Sequence, residues 1–371
     1  MPRPESTRRN FLAGTASAVL AAGAVPTVVA SAAAAAEPAE AGSQRLSLSQ
    51  LHKWEARRYG MFIHFGVSTF VPDEFADGKA PATTYAPDRL DVDQWVSVAR
   101  DAGMKYILLT TKHVAGHCLW PSKHTDYTVA RSTNKTNVVE QFCKACEKRG
   151  VLPGFYYCSW DNHNRFGSRT PSDPISSWDG MNSFPKSQDK LPPFTTSLYQ
   201  SFQTAQITEL LTQFGPIAEM FIDIPGVLGR GYRQFHYYDM ARLQPETVVI
   251  MNSGIGDQSK YDVAYAWPSD LISLETKLPP RGGHQKWRTI EGKRYYLPGE
   301  LCNSIRKYAK GAHWFWFDGD TERNDADLLK EFEGARAGGV NYVLNVPPDK
   351  HGVIPKEEVA ALMRLRKNAG I

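Results

Sequence analysis

Eight short runs rich in β-branched and aromatic residues recur along this chain, with helical patterns between them. The runs are YGMFIHFG (59–66), KYILLTTKH (105–113), VLPGFYYCS (151–159), EMFIDI (219–224), VVIMNS (248–253), DLISLE (270–275), HWFWFD (313–318) and NYVLNVP (341–347). Apolar runs of this length suit strands buried on both faces, the condition of a parallel sheet covered by helices. The segments DVDQWVSVARDAG, NVVEQFCKACEKRG, SLYQSFQTAQITELLTQFG, DADLLKEFEGARAGG and KEEVAALMRLRKNAG carry apolar residues at helical spacing, and several close on a capping glycine. Strict βα alternation predicts an α/β fold, a closed (β/α)8 TIM barrel rather than an open doubly wound sheet. The expected organisation is one domain over residues 51–371, preceded by a linker at 37–50.

The first 36 residues read as an address. Arg8 and Arg9 stand just before Phe11 and Leu12, an Ala-rich apolar run follows, and small residues at 32–36 offer a cleavage point. This predicts a twin-arginine signal peptide and a secreted protein. The run is broken by Pro26 and is weakly apolar, so no membrane anchor is expected once the signal is removed. Five cysteines are an odd number, and Cys143-x-x-Cys146 lies in a helical pattern without a second pair, which argues against a disulfide framework or a zinc site. Net charge is only +4, from 43 basic and 39 acidic residues, with no basic cluster to suggest a nucleic-acid partner.

In a barrel, polar residues at the C-terminal ends of strands face the site. Here those ends supply His64, His113, Tyr156, Tyr157, Asp223, Asn252, Glu275 and Asp318. Asp223 and Glu275 each close an apolar run, and a buried carboxylate is costly unless it is paired or used. Two carboxyls on one rim are what glycoside hydrolysis requires: one ionised, one protonated. Aromatic residues near these ends, Phe62, Trp120, Tyr157, Trp160, Trp267, Trp314 and Trp316 among them, would stack on the C–H faces of a sugar. Two other classes compete. A sugar-binding barrel without catalysis needs the aromatics but no acid pair, and a metal-dependent hydrolase would use the His113-x-x-x-His117 spacing, although no Glu follows the first His.

Four segments in register, YGMFIHFG, KYILLTTKH, CLWPSKHTDY and GFYYCSW, together with NYVLNVPPDKHGVIP, resemble glycoside hydrolase family 29, the α-L-fucosidases. The resemblance runs from about Trp54 to the C-terminus. It implies a (β/α)8 barrel, retaining hydrolysis of terminal α-L-fucosides on oligosaccharides or glycoconjugates, and no metal or organic cofactor. It assigns the nucleophile to Asp223 and substrate binding to His64, Glu74, His113 and Tyr157, while Trp267 is taken as a substrate-stacking ring. The acid/base residue is assigned to Glu275, with Glu300 in LPGELCNSIR as the alternative.

The chain also departs from the family pattern. The His-His pair usual after the second strand is replaced by the run from His113 to His117, no Arg follows Asn252, Phe221 stands where a Trp is usual, and the C-terminal β-sandwich that many members add is not expected here. These differences open a second specificity, toward a related sugar such as an α-L-galactoside.

Overall fold

The computed structural model describes residues 41–71, 73–164, 196–307 and 314–371. The expected signal peptide lies outside them, as do most of the insertion after Asp161 and His313. Eight parallel strands make up most of the central sheet: β1 (Tyr59–Ile63), β2 (Tyr106–Lys112), β3 (Leu152–Cys158), β4 (Glu219–Asp223), β5 (Val248–Met251), β6 (Ile272–Thr276), β7 (Gly299–Ser304) and β8 (Asn341–Asn345), and the two-residue strand Ile255–Gly256 is its ninth. β1 pairs with both β2 and β8, and the ladder continues from β2 through β3 and β4 to β5, and from β8 through β7 to β6.

At the remaining junction β5 itself has no ladder with β6, but just beyond its end Ile255–Gly256 pairs in parallel with Glu275 and Thr276 of β6. Just before β6, the Asp270 N–H donates to the Val249 carbonyl at 2.8 Å, and the Asp270 carboxylate accepts from the Val249 N–H at 2.8 Å. Ser269 Oγ accepts from the Met251 N–H at 3.1 Å. Side chains therefore supply the acceptors that a neighbouring strand would offer, and the sheet closes as a (β/α)8 barrel. Asp270 is held in turn by Arg45 and by the Tyr237 hydroxyl.

Helices α1 (Leu48–Glu55), α2 (Val92–Asp101), α3 (Val138–Arg149), α4 (Ser197–Gln213), α5 (Arg230–Leu243), the short α6 (Val263–Ala266), α7 (Asp325–Ala337) and α8 (Lys356–Ala369) accompany the strands. Their limits follow capping chemistry: Asn137 caps α3 through the Glu140 N–H, and Gly150 ends it in the left-handed conformation. From Ala41 onward, the stretch expected as a linker is part of the barrel. Leu46 is buried, and Ser47 forms a capping box with Gln50 at the start of α1.

One strand assignment is corrected. The seventh strand is Gly299–Ser304, not 313–318. GELCNS contains no β-branched residue, so its composition hides a strand that its ladders with β6 and β8 enforce. Trp314 and Phe315 instead form an irregular loop whose rings pack on His64, 5.1 and 5.5 Å away between centroids.

Strand alternation sorts the interior into layers. The middle layer is apolar, with Phe62, Leu108, Tyr156, Phe221, Ile250, Cys302 and Val343 in one cluster. Below it, at the N-terminal ends, lie Tyr106, Glu219 and Glu300. Gly60 makes room there, since a Cβ on it would stand 2.8 Å from the Tyr106 ring. Trp54 Nε1 donates to Glu219 Oε2 at 3.1 Å, and the Tyr106 hydroxyl donates to Glu300 Oε2 at 2.7 Å. The other oxygen of each acid is buried without a further donor, and the two carboxyls hydrogen-bond to each other. One proton shared between them satisfies both. Burial pushes Glu219 up to about 7 against hydrogen bonds with Glu300 and Trp54 and the Arg57 charge, and pushes Glu300 well above the usual carboxylate range, helped by Glu219.

Because the folded state binds this proton more tightly than the unfolded chain does, the pair's contribution to stability is full below the ordinary carboxylate range. It is lost in two steps as pH rises, first at Glu219 through about 7 and then higher at Glu300, the acid that keeps the shared proton. Glu300→Gln replaces the proton with a permanent amide donor. Urea unfolding at pH 5 and pH 8 should therefore show the variant gaining stability relative to wild type at the higher pH; parallel curves would mean that no proton is shared.

Candidate active site

The upper interior layer is polar: His64 follows β1, His113 follows β2, Asp223 ends β4, Asn252 follows β5, Glu275 lies in β6 and Asn345 ends β8. Asp223 receives the Tyr156 hydroxyl on Oδ2 at 2.7 Å and Asn252 Nδ2 on Oδ1 at 2.7 Å. The same Asn252 nitrogen donates to Glu275 Oε2 at 3.0 Å, while Asn252 Oδ1 accepts from the Gly254 N–H, which fixes the amide's orientation. One amide thus spans both acids.

The residues after the two acids are conformational outliers of the same kind. Ile224 has φ 49° and Thr276 has φ 59°, left-handed values that are strained for β-branched side chains. At Ile224 the turn aims the main-chain N–H at the Asp223 carboxylate. Gly226, two residues further on, is pressed against the Tyr265 ring so closely that a Cβ there would lie 2.0 Å from it.

Hydrogen bonding separates the two acids electrostatically. Burial raises the Asp223 pKa, but three donors, from Tyr156, Asn252 and the Ile224 main chain, oppose it. Glu275 has only the Asn252 donor, and burial followed by the Asp223 charge pushes it up to about 7. The donors therefore pull the two acids apart, Glu275 being the one held toward its protonated form.

His64 is buried, and its Nδ1 lies 2.8 Å from Asn345 Oδ1. Asn345 Nδ2 donates to the Trp314 carbonyl and to Ser304 Oγ, so its Oδ1 is the acceptor and His64 Nδ1 carries hydrogen. Burial, followed by the neighbouring His113, holds His64 well below the ordinary imidazole range. Its Nε2 is then a lone-pair acceptor suited to a sugar hydroxyl. His113 stacks on Tyr156 at 5.5 Å, hydrogen-bonds the Glu74 main chain and is driven by burial down to about 3. It reaches the interior because β2 is irregular between Thr110 and Lys112: the extra residue turns Lys112 outward to Asp161, 2.7 Å away, and His113 inward. The Glu74 carboxyl accepts from the Trp314 N–H at 2.7 Å. Burial, with Glu275 and Asp223 adding repulsion, raises it well above the usual range.

Three expectations are corrected. Tyr157 is fully buried on the helix side of the sheet, its hydroxyl donating to Gln206 at 2.8 Å; strand alternation sends Tyr156 into the site instead. Trp267 precedes β6, at the opposite end of that strand from Glu275, and packs against Tyr295. Glu300 is the second residue of β7 and belongs to the base pair with Glu219, a barrel length from Asp223. His117 bonds Ser132 Oγ rather than facing His113's ligand space, and no cluster of three His, Cys, Asp or Glu suited to a metal occurs among the described residues. Asn252 and Tyr156 stood among the strand-end residues, but only the register reveals what they touch.

A parallel barrel with a bridged acid pair at the C-terminal rim, flanked by neutral imidazoles and aromatic rings, has the architecture of the glycoside hydrolases. The comparisons narrow the class. The family model described as Alpha-L-fucosidase matches residues 72–367, and the chain belongs to this family. It is 29% identical over 334 residues to alpha-L-fucosidase 1 of Arabidopsis thaliana, covering 85% of this chain and 59% of that protein. It is 27% identical over 332 residues to a putative alpha-L-fucosidase 1 of Oryza sativa, covering 85% and 57%. The chain thus spans less than two thirds of these plant relatives. Alpha-L-fucosidase isoenzyme 1 of Paenibacillus thiaminolyticus shares the fold, with TM-score 0.67, 24% identity and coverage of 86% and 74%.

Because Asn252 lowers the pKa of both acids, its removal has a signed consequence. If Glu275 acts as an acid, activity in the wild type should fall as pH rises through about 7. In Asn252→Ala, both limbs of the kcat/KM profile should move to higher pH, with a rate loss of about tenfold to a hundredfold for one charge-assisted bond. Unmoved limbs would remove Asn252 from the electrostatics of the site.

Proposed function

We propose that this chain is an exported, retaining exo-glycosidase that hydrolyses terminal α-L-fucosides of oligosaccharides or glycoconjugates. The observation that carries the retaining mechanism is the Asn252 bridge. With bonds of 2.7 Å and 3.0 Å to a single nitrogen, Asp223 Oδ1 and Glu275 Oε2 stand no more than about 5.7 Å apart. A retaining pair needs about 5–5.5 Å, whereas an inverting pair leaves roughly 6.5–9.5 Å for a water. Family membership supports the sugar, and the neutral His64 and His113 support binding of uncharged hydroxyls.

In this reading the ionised Asp223 attacks the anomeric carbon, and the C–O bond to the leaving group breaks as Glu275 passes its proton to that oxygen. Glu275, now a carboxylate, takes a proton from water, whose oxygen displaces Asp223 and returns the sugar with its original anomeric configuration. His64 Nε2, Glu74 and His113 would bind ring hydroxyls. The rings of Trp314 and Tyr156 enclose the same space.

On nitrophenyl α-L-fucoside, wild type should release the α-anomer first, as followed by proton NMR. Asp223→Asn should lose about a thousandfold or more in kcat with an unchanged melting temperature. First release of the β-anomer would overturn retention, near-normal activity in Asp223→Asn would overturn the nucleophile, and preference for the α-L-galactoside would move the specificity.

Export is part of the proposal and rests on Arg8 and Arg9 before the apolar run. Replacing both with Lys should leave the precursor inside a twin-arginine-competent host. Undiminished secretion would assign export to another route.

A further inference from the structure

A cleft of about 360 Å³ opens on the flank of the barrel, lined by residues before α1, one face of α5, the turn leading into β6 and the hairpin Trp287–Ile290 with Lys293–Tyr296. Its Ser269 lies six residues before Glu275, about 20 Å away along extended chain. We propose that this cleft is a second carbohydrate-binding site, separate from the barrel mouth, that takes a neutral polysaccharide chain.

The lining carries two kinds of group that such a ligand needs. Trp267 and Tyr295 meet edge to face, 4.8 Å apart at 69°, and form an apolar corner. Tyr238, 56% exposed, adds a ring from α5. Rings so placed cover the C–H face of a pyranose. Beside them stand planar hydrogen-bonding groups, the Gln234 amide four residues before Tyr238 on the same helix face, the Arg230 guanidinium and the Glu291 carboxylate. Planar groups with two bonding positions match the adjacent hydroxyls of a sugar.

Charge excludes the obvious competitor, an anion. Both guanidiniums of the cleft are already neutralised, Arg45 by Asp270 and Arg230 by Glu291, which leaves Lys293 as the one lining cation without an ion pair among the described residues. The hairpin tip points the same way. Glu291 at φ 51° and Gly292 at φ 78° make a turn that favours Asn, Asp or Gly at its first position, so a Glu held there is strained. Its carboxylate is thereby presented at the cleft and held by Arg230. A chain bound here would keep the glycan tethered while the mouth meets successive branch ends, raising their effective concentration.

Native gel electrophoresis through dissolved galactomannan or hydroxyethylcellulose tests this without reference to fucoside cleavage. Wild type should be retarded in at least one of the two neutral gels. Tyr238→Ala and Glu291→Ala, both at exposed positions, should each weaken that retardation about tenfold. Their rates on a small nitrophenyl glycoside should match wild type, and their circular dichroism should be unchanged. Absence of retardation in both neutral gels, retardation by polygalacturonate alone, or retardation undiminished in both variants would overturn the proposal. A failure of fucoside hydrolysis would leave this result standing, since the readout is mobility.

Discussion

At its base the barrel closes through Asp270 and Ser269. β5 itself makes no ladder with β6, and Asp270, anchored by Arg45 and Tyr237, provides the acceptor that the Val249 N–H lacks, while nearer the rim Ile255–Gly256 pairs with Glu275 and Thr276. The candidate site depends on this junction more than on any other, because Asn252 follows β5 and reaches across it to Glu275 beyond the core of β6. A sheet left open there would keep Asp223 and Asn252 together on adjacent strands but would set Glu275 adrift from both. Bonds at the base and the short Ile255–Gly256 pairing at the rim together hold two strands that cannot slip without turning their interior residues outward.

At the rim, unequal donor counts do the electrostatic sorting. Both acids are desolvated, and desolvation pushes both toward the neutral form. Asp223 is rescued by a phenol, an amide and a main-chain N–H, the last aimed by the strained Ile224. Glu275 shares only the amide and feels the negative charge that those donors stabilise on Asp223. Negative charge on Asp223 adds to burial in favouring the protonated form of Glu275, and strain at Ile224 and Thr276 is the backbone's cost for pointing both side chains at one space.

The barrel was legible in the sequence because strands buried on both faces spell themselves as apolar runs, and the two rim acids because each terminates such a run. What escaped was whatever depends on the direction or parity of a strand. Tyr156 and Tyr157 are chemically alike and adjacent, so only register tells which faces inward. Glu275 and Glu300 each touch an apolar run, but one closes its strand and the other opens it, and the opening of GELCNS is invisible to β-propensity. Trp267 belongs to the approach to β6 and so falls at the wrong end. His113 was found for the right reason in the wrong geometry, since an unbroken β2 would have turned Lys112 toward the site.

The interior holds two carboxyl pairs, and their contrast explains why chemistry belongs to only one. Glu219 and Glu300 touch directly, share a proton and are closed over by Trp54 and Tyr106. There is no space between them for a reacting atom, and each is fully buried. Asp223 and Glu275 are kept apart by the width of an amide that donates one hydrogen to each, and both remain partly exposed at the rim. Direct contact makes a proton structural, because moving it would strand a charge in the interior. Separation by a donor makes it available, because the charge left behind on Glu275 faces solvent and still has the Asn252 hydrogen bond. Acid pairs in the same barrel therefore differ in role according to whether the two carboxyls touch directly or are held apart by a shared amide donor.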